Sequence, residues 1–252
     1  MELSMLLVEY AVAPLAIDTA TPRFTWILSS TARGQSQSAY QVSVTAASDT
    51  GAPGQPVWDS GKVVSSRSAH VPYGGEALAS NTRYNYTVTV WDQNGVCATG
   101  SSTFATALLG DNEWRSDWIG AGGPLDELIE DIRRGILANK KPGNRDEKHE
   151  EAKSLKKASE MISPDHRSVL LRKTVQLREA PVRALLHISG LGYYKLHVNG
   201  DRVGNRELAP SKTDYRLQVL YDSYDVTSNI RGHNIRGHHT YFLLLTRCGT
   251  VG

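Results

Sequence analysis

The side chains with which this chain could do chemistry are 26 carboxylates, eight histidines and two cysteines. Their spacing decides which chemistry is within reach. Hydrolysis of an acetal needs two carboxyl groups held roughly 5 to 10 Å apart. Asp59, Asp92 and Asp214 stand in turn-like contexts and read as turn formers instead. In "GHNIRGHH", His233, His238 and His239 lack the placement that puts metal ligands on one face, so an irregular tail is expected there rather than a metal site. Cys97 and Cys248 are far apart, have neither metal nor nucleophile context, and read as free thiols. "GAGG" (120–123) and "GLG" (190–192) lack the strand–turn–helix setting of a phosphate loop, and no G-x-S-x-G elbow occurs. No catalytic residue and no metal ligand is assigned.

One constellation remains. In "ISGLGYYKLHVNGDRVG", residues 188–204, alternation puts Tyr194, Leu196 and Val198 on one strand face and Tyr193, Lys195, His197 and Asn199 on the other. The first set is expected in a core. The second offers a ring to stack on a sugar and polar groups for its hydroxyls, which makes Tyr193 and Asn199 the candidate carbohydrate-binding residues. Asn199-Gly200 is also the strongest two-residue hairpin signal, because both turn positions need positive φ. That structural role accounts for the same residues without a ligand.

The elements that must position these residues belong to a chain of 252 residues, long enough for two cores. A formal charge of +2, from 28 basic and 26 acidic residues, gives no polyelectrolyte character and points away from nucleic acid and membrane partners. No run approaches the roughly 18 apolar residues of a membrane span, and "MELSMLLVEY" lacks a basic n-region and a long apolar stretch. A cytoplasmic location is expected.

Residues 1–107 alternate apolar and polar side chains in short runs broken by Gly, Pro, Ser and Asp, as half-buried antiparallel strands do. Phe24, Trp26 and Leu28 share a face, as do Tyr40, Val42 and Val44, and Tyr84, Tyr86, Val88 and Val90. Leu78, Thr82 and Tyr84 have the form of a tyrosine corner, in which the phenol satisfies backbone groups at a sandwich end. A fibronectin type III-like or immunoglobulin-like β-sandwich is expected, with "SDTGAPG" and "DQNG" as hairpin turns.

Residues 108–123 read as a linker and the start of a second domain, with Trp114 and Trp118 expected to pack there. Residues 124–167 change abruptly to near-balanced charge with little apolar content. Leu125, Leu128, Ile129, Ile132 and Ile136 follow a helical period after Pro124, and the stretch beyond Pro142-Gly143 is a second solvated helix or disordered. From residue 168 to 252 strand-like alternation returns, and a jelly-roll-like second sandwich is expected. The fold class is therefore all-β: two tandem β-sandwich domains with a charged helical insert.

These segments resemble a family. "LLVEYAVAPLAIDTATPRFTW", "SAYQVSV", "VWDSGKV", "HVPYGGEALASNTRYNYTVTVWDQNG" and "WIGA" are similar to the N-terminal region of bacterial α-L-rhamnosidases of glycoside hydrolase family 78. "LLRKTVQL", "ISGLGYYKLHVNGDRVG" and "LAPSKTDYRLQVLYDSYDVT" resemble the β-sandwich that follows it. The resemblance implies a parent enzyme that removes terminal α-L-rhamnose from glycosides. Catalysis there belongs to a C-terminal (α/α)6 barrel with two glutamates as general acid and base. No catalytic position carries over to this chain, which is expected to be inactive alone, with the barrel and rhamnosyl glycosides as its partners. In some relatives the second sandwich binds rhamnose with calcium; no ligand set for calcium is matched here, and no cofactor is assigned.

After "YDVTSNI" the sequence departs from the family's Gly-Trp-Tyr-Gly-like continuation. Codons for Cys248 to Val251 can spell Trp-Tyr-Gly in a shifted frame, so a frameshifted or truncated reading frame and an incomplete second sandwich are expected. Two other functions stay open: an independent rhamnose-binding module, and a protein-interaction module using residues 124–166.

Overall fold

A computed structural model describes residues 1–48, 54–110, 112–119, 169–177, 181–215, 217–231 and 239–248. The charged insert at 124–167, the "GAGG" stretch, most of the "SDTGAPG" turn, and His233 and His238 lie outside the described residues. The chain divides into two compact units. One comprises Met1–Ser116, Pro181–His187 and Ser223–Ser228, the other Asp117–Ala180, Ile188–Asp222 and Asn229–Gly252.

Among the described residues, the Met1–Ser116 part of the first unit holds eight strands: β1 (Glu2–Val8), β2 (Arg23–Ser29), β3 (Gln37–Ala46), β4 (Gln55–Asp59), β5 (Val63–Val64), β6 (Val71–Pro72), β7 (Arg83–Asp92) and β8 (Cys97–Ala105). They form one sheet of order β1-β2-β6 and another of order β4-β3-β7-β8, with β5 on β3. Period-two alternation fixes which faces are inward. In β7, Tyr84, Tyr86, Val88 and Val90 are at most 3% exposed while Asn85, Thr87 and Thr89 are half-buried. Phe24 packs with ring centroids 5.1 Å from Tyr86 and 6.0 Å from Phe104, and Phe104 stacks on Tyr84 at 5.3 Å. Burying one such ring stabilises the fold by about 1.5–3 kcal/mol.

Several polar groups inside this core are paired, whereas the buried Tyr73 and Tyr86 hydroxyls have no hydrogen-bond partner among the described residues. Trp26 Nε1 donates to Gln37 Oε1 at 2.9 Å, and Gln37 Nε2 donates to the carbonyls of Ser65 and Arg67, both at 2.9 Å. The tyrosine corner is present: the Ala79 amide donates to the Tyr84 phenol oxygen at 2.9 Å. Buried Thr106 completes that end, donating to the Ala79 carbonyl and accepting from the Thr82 amide. Asp92 and Asp59 act as turn formers, as expected. Asp92 Oδ1 accepts from the amides of Asn94 and Val96, and Asp59 Oδ1 from that of Gly61.

Further strands are β9 (Val169–Leu177), β10 (Leu185–Ser189), β11 (Tyr193–Val198), β12 (Asp201–Val203), β13 (Tyr221–Asp225) and β14 (His239–Cys248), with a short helix α1 (Thr227–Arg231). β10 pairs with β13, and a four-stranded sheet has the order β12-β11-β14-β9. One strand was not foreseen, and one expectation needs correction. Residues 239–248 form a strand that pairs antiparallel with both β11 and β9; the segment expected to be an irregular tail, "GHNIRGHH", lies almost wholly outside the described residues. The physical reason lies in "HTYFLLLTRC", rich in residues that suit a pleated strand and placed where two strands leave backbone groups unpaired. Trp114 and Trp118, expected to pack, are 38% and 60% exposed in a segment without regular structure. A segment that adds no strand to a sheet has no inward face on which to bury them.

Candidate functional site

The β11–β12 hairpin is built as its turn requires. Asn199 and Gly200 have φ of 54° and 93°, the doubly positive pair of a two-residue hairpin. The register sets Val198 opposite Asp201, His197 opposite Arg202 and Leu196 opposite Val203. Tyr194, Leu196 and Val198 are 6%, 1% and 4% exposed, whereas Tyr193, Lys195 and His197 are half-buried on the other face. Asn199 Nδ2 donates to the Asn229 carbonyl at 2.9 Å, so its amide ties the turn to α1. Tyr193 and Asn199 stand six residues apart on an extended strand, about 20 Å. One sugar ring does not span that distance.

The carboxylates near the hairpin are engaged. Glu207 takes Arg202 at 2.8 Å and Lys195 at 3.0 Å, and these two cations, Arg202 foremost, hold its carboxyl below the usual range. Asp222 accepts the Tyr194 hydroxyl at 2.7 Å on one oxygen and Arg206 at 3.1 Å on the other. Each acid fixes a loop or a strand, and neither is arranged as half of an acid–base pair. Sequence reading missed the Tyr194–Asp222 bond because its partners lie 28 residues apart and each fits its own strand pattern.

In the first unit His187 Nδ1 lies 2.7 Å from Ser223 Oγ, and its Nε2 lies 3.3 Å from Asn81 Oδ1. Burial, and then the charge of Arg183, lower its pKa. Ser223 sits within regular β13 rather than on the sharp turn that exposes a catalytic serine, so the contact is a cross-strand tie. A nearby cleft of about 170 Å³ is lined by residues 13–15, Arg83, residues 103–105, Arg183 and Asp225. Another, of about 250 Å³, is lined by Met1, residues 28–30, Ala32 and residues 34–37. The first carries one carboxylate and the second none; inverting or retaining glycoside hydrolysis needs two. Among the described residues no group of three or more His, Cys, Asp or Glu is placed to hold a metal ion, and no helix is long and apolar enough to cross a membrane.

The geometry defines a class first: an all-β scaffold without an acid–base pair in either cleft. Comparison with known proteins supplies the family. Residues 3–110 match the family model described as the Rha78A-like, N-terminal immunoglobulin domain, and residues 179–237 match the α-L-rhamnosidase N-terminal domain. An α-L-rhamnosidase of Streptomyces avermitilis is 36% identical over 222 residues, which is 86% of this chain and 20% of that protein. One from Formosa agariphila is 31% identical over 229 residues, 89% of this chain and 22% of that protein. The solved α-L-rhamnosidase of Dictyoglumus thermophilum superposes with a TM-score of 0.70 at 26% identity, covering 99% of this chain and 25% of that one. The chain thus spans about a fifth of the length of the curated relatives it matches. Over residues 3–110 and 179–237 it matches the N-terminal β-domains described for the α-L-rhamnosidase family.

Proposed function

We propose that this chain is the non-catalytic N-terminal portion of an α-L-rhamnosidase, serving as scaffold and spacer for a C-terminal (α/α)6 barrel. In that reading the barrel hydrolyses terminal α-L-rhamnose from glycosides. The observation that carries the proposal is the order of the two matched domains in a chain that spans about a fifth of its relatives. The domain division proposed with it runs 1–107, 108–123, 124–167 and 168–252. The test is the genomic DNA that follows codon 252. An (α/α)6 barrel with paired glutamates, in any frame, is expected; an unrelated reading frame and no barrel would contradict the proposal.

A second reading is a rhamnose-binding face on β11, supported by half-buried Tyr193 on the face opposite Tyr194. Tyr193 and Asn199 would contact separate rings of one oligosaccharide, given the length of strand between them. Rhamnoside-dependent amide shifts are expected to vanish in Tyr193→Ala, and their persistence would rule this face out. The source proposed is bacterial and the compartment cytoplasmic. Relatives from Streptomyces and Formosa support the first. The exposed free thiol of Cys97 suits a reducing compartment and supports the second.

A further inference from the structure

Two arginines line the same small cleft of the first unit, and the charges of both act on Asp225 in that lining. Arg83 enters from the start of β7 and Arg183 from the residues before β10. Among the described residues neither makes an ion pair within 4.0 Å or a side-chain hydrogen bond. Arg83 is exposed and Arg183 is half-buried. Asp225 is the one carboxylate of the lining, and its Oδ1 accepts the Thr227 amide at 3.0 Å. Burial acts to raise the pKa of Asp225. The Thr227 hydrogen bonds and the charges of Arg183 and Arg83 outweigh that and lower it. The cleft therefore carries two positive charges against one negative, with the arginine donors uncommitted. A planar oxyanion is the group whose geometry matches an arginine fork.

Another part of the lining is held in place. Ala13 is at φ 45°, and the loop bearing it is tied to β8 by the Ala105 amide donating to the Pro14 carbonyl at 2.8 Å. The Ile17 amide returns to the Ala105 carbonyl at 2.9 Å. Leu15 and Thr103 also belong to the lining, which combines apolar and polar residues. Such a combination orients a small ligand with one charged end.

We infer that this cleft is an anion site that takes a small carboxylate, bridged by Arg83 and Arg183 and backed by Leu15 and Thr103. A cleft of about 170 Å³ accommodates the acid group and a few attached carbons, which favours a small molecule over a polypeptide segment. The inference stands on this cleft alone and does not depend on the scaffold reading.

The test is titration of the full chain, followed by amide chemical shifts of Leu15, Thr103 and Ala105, with acetate, D-glucuronate and neutral L-rhamnose. Saturable shifts with both carboxylates and none with rhamnose are expected. Affinity should fall about tenfold in Arg83→Gln and in Arg183→Gln, be lost in the double variant, and fall as salt is raised. Arg83 is exposed, so Arg83→Gln keeps the fold and isolates the charge. Arg83→Lys, which keeps the charge and loses the fork, should fall between wild type and Arg83→Gln. Equal shifts with rhamnose, the absence of carboxylate shifts, or shifts unchanged in the double variant would overturn the assignment. So would binding of an acidic peptide by a cleft that ignores both small acids.

Discussion

Glu9 and Arg23 set a pH dependence that one substitution reveals. The Glu9 carboxylate accepts the Arg23 amide at 2.7 Å and the guanidinium at 3.1 and 2.6 Å. Hydrogen bonds from the Arg23 side chain, the largest effect, hold its pKa below the ordinary value against the opposing effect of burial. A carboxyl with a depressed folded pKa contributes stability that is fully present above its unfolded value, about 4.3. That stability is lost as pH falls through the folded value. The denaturation midpoint of Glu9→Gln should therefore lie below wild type at pH 7, with the gap closing below pH ~4. A gap that stays constant down to pH ~3 would contradict the pairing. Tyr84→Phe deletes the acceptor for the Ala79 amide and should cost about 1 kcal/mol or somewhat more in urea denaturation. The Tyr86 phenol, pushed up to about 12 by burial, should stay un-ionised in a spectrophotometric titration to pH ~11 while the fold persists.

At the scale of elements, the strand faces of β3 and β7 were legible because a period of two assigns each side chain a side, and Tyr84 was legible from Leu78 and Thr82. What escaped was whatever depends on meetings between distant segments. The Trp26–Gln37–Ser65 chain of hydrogen bonds joins three separate stretches, and the cleft lined by Arg83, Arg183 and Asp225 joins stretches far apart in the sequence. Tyr193 and Asn199 were found as residues, but alternation could not reveal that the Asn199 amide is spent on Asn229. β14 escaped because its sequence departs from the family pattern, whereas strand formation needs only suitable side chains and two open edges. A tight approach gives this scale its own prediction. A Cβ at Gly75 would run into the Tyr73 phenol and stand 2.9 Å from Trp58 Cβ. Gly75→Ala should lower stability by about 1–3 kcal/mol, and an unchanged denaturation midpoint would show that the aromatic pair can yield.

At the scale of the whole molecule, Phe24, Tyr84, Tyr86 and Phe104 spend their rings on the core, and the acids Glu207 and Asp222 each hold two donors. The two clefts between them carry a single carboxylate, whereas cleavage of a glycosidic bond needs an acid and a base flanking the sugar. Under the proposed reading, bond-breaking in the parent enzyme belongs to residues outside this chain. The direct measurement is release of chromophore from an aryl α-L-rhamnoside by purified residues 1–252. The expected rate equals that of buffer alone. Turnover above buffer that disappears on substitution of one acid in this chain would contradict the account.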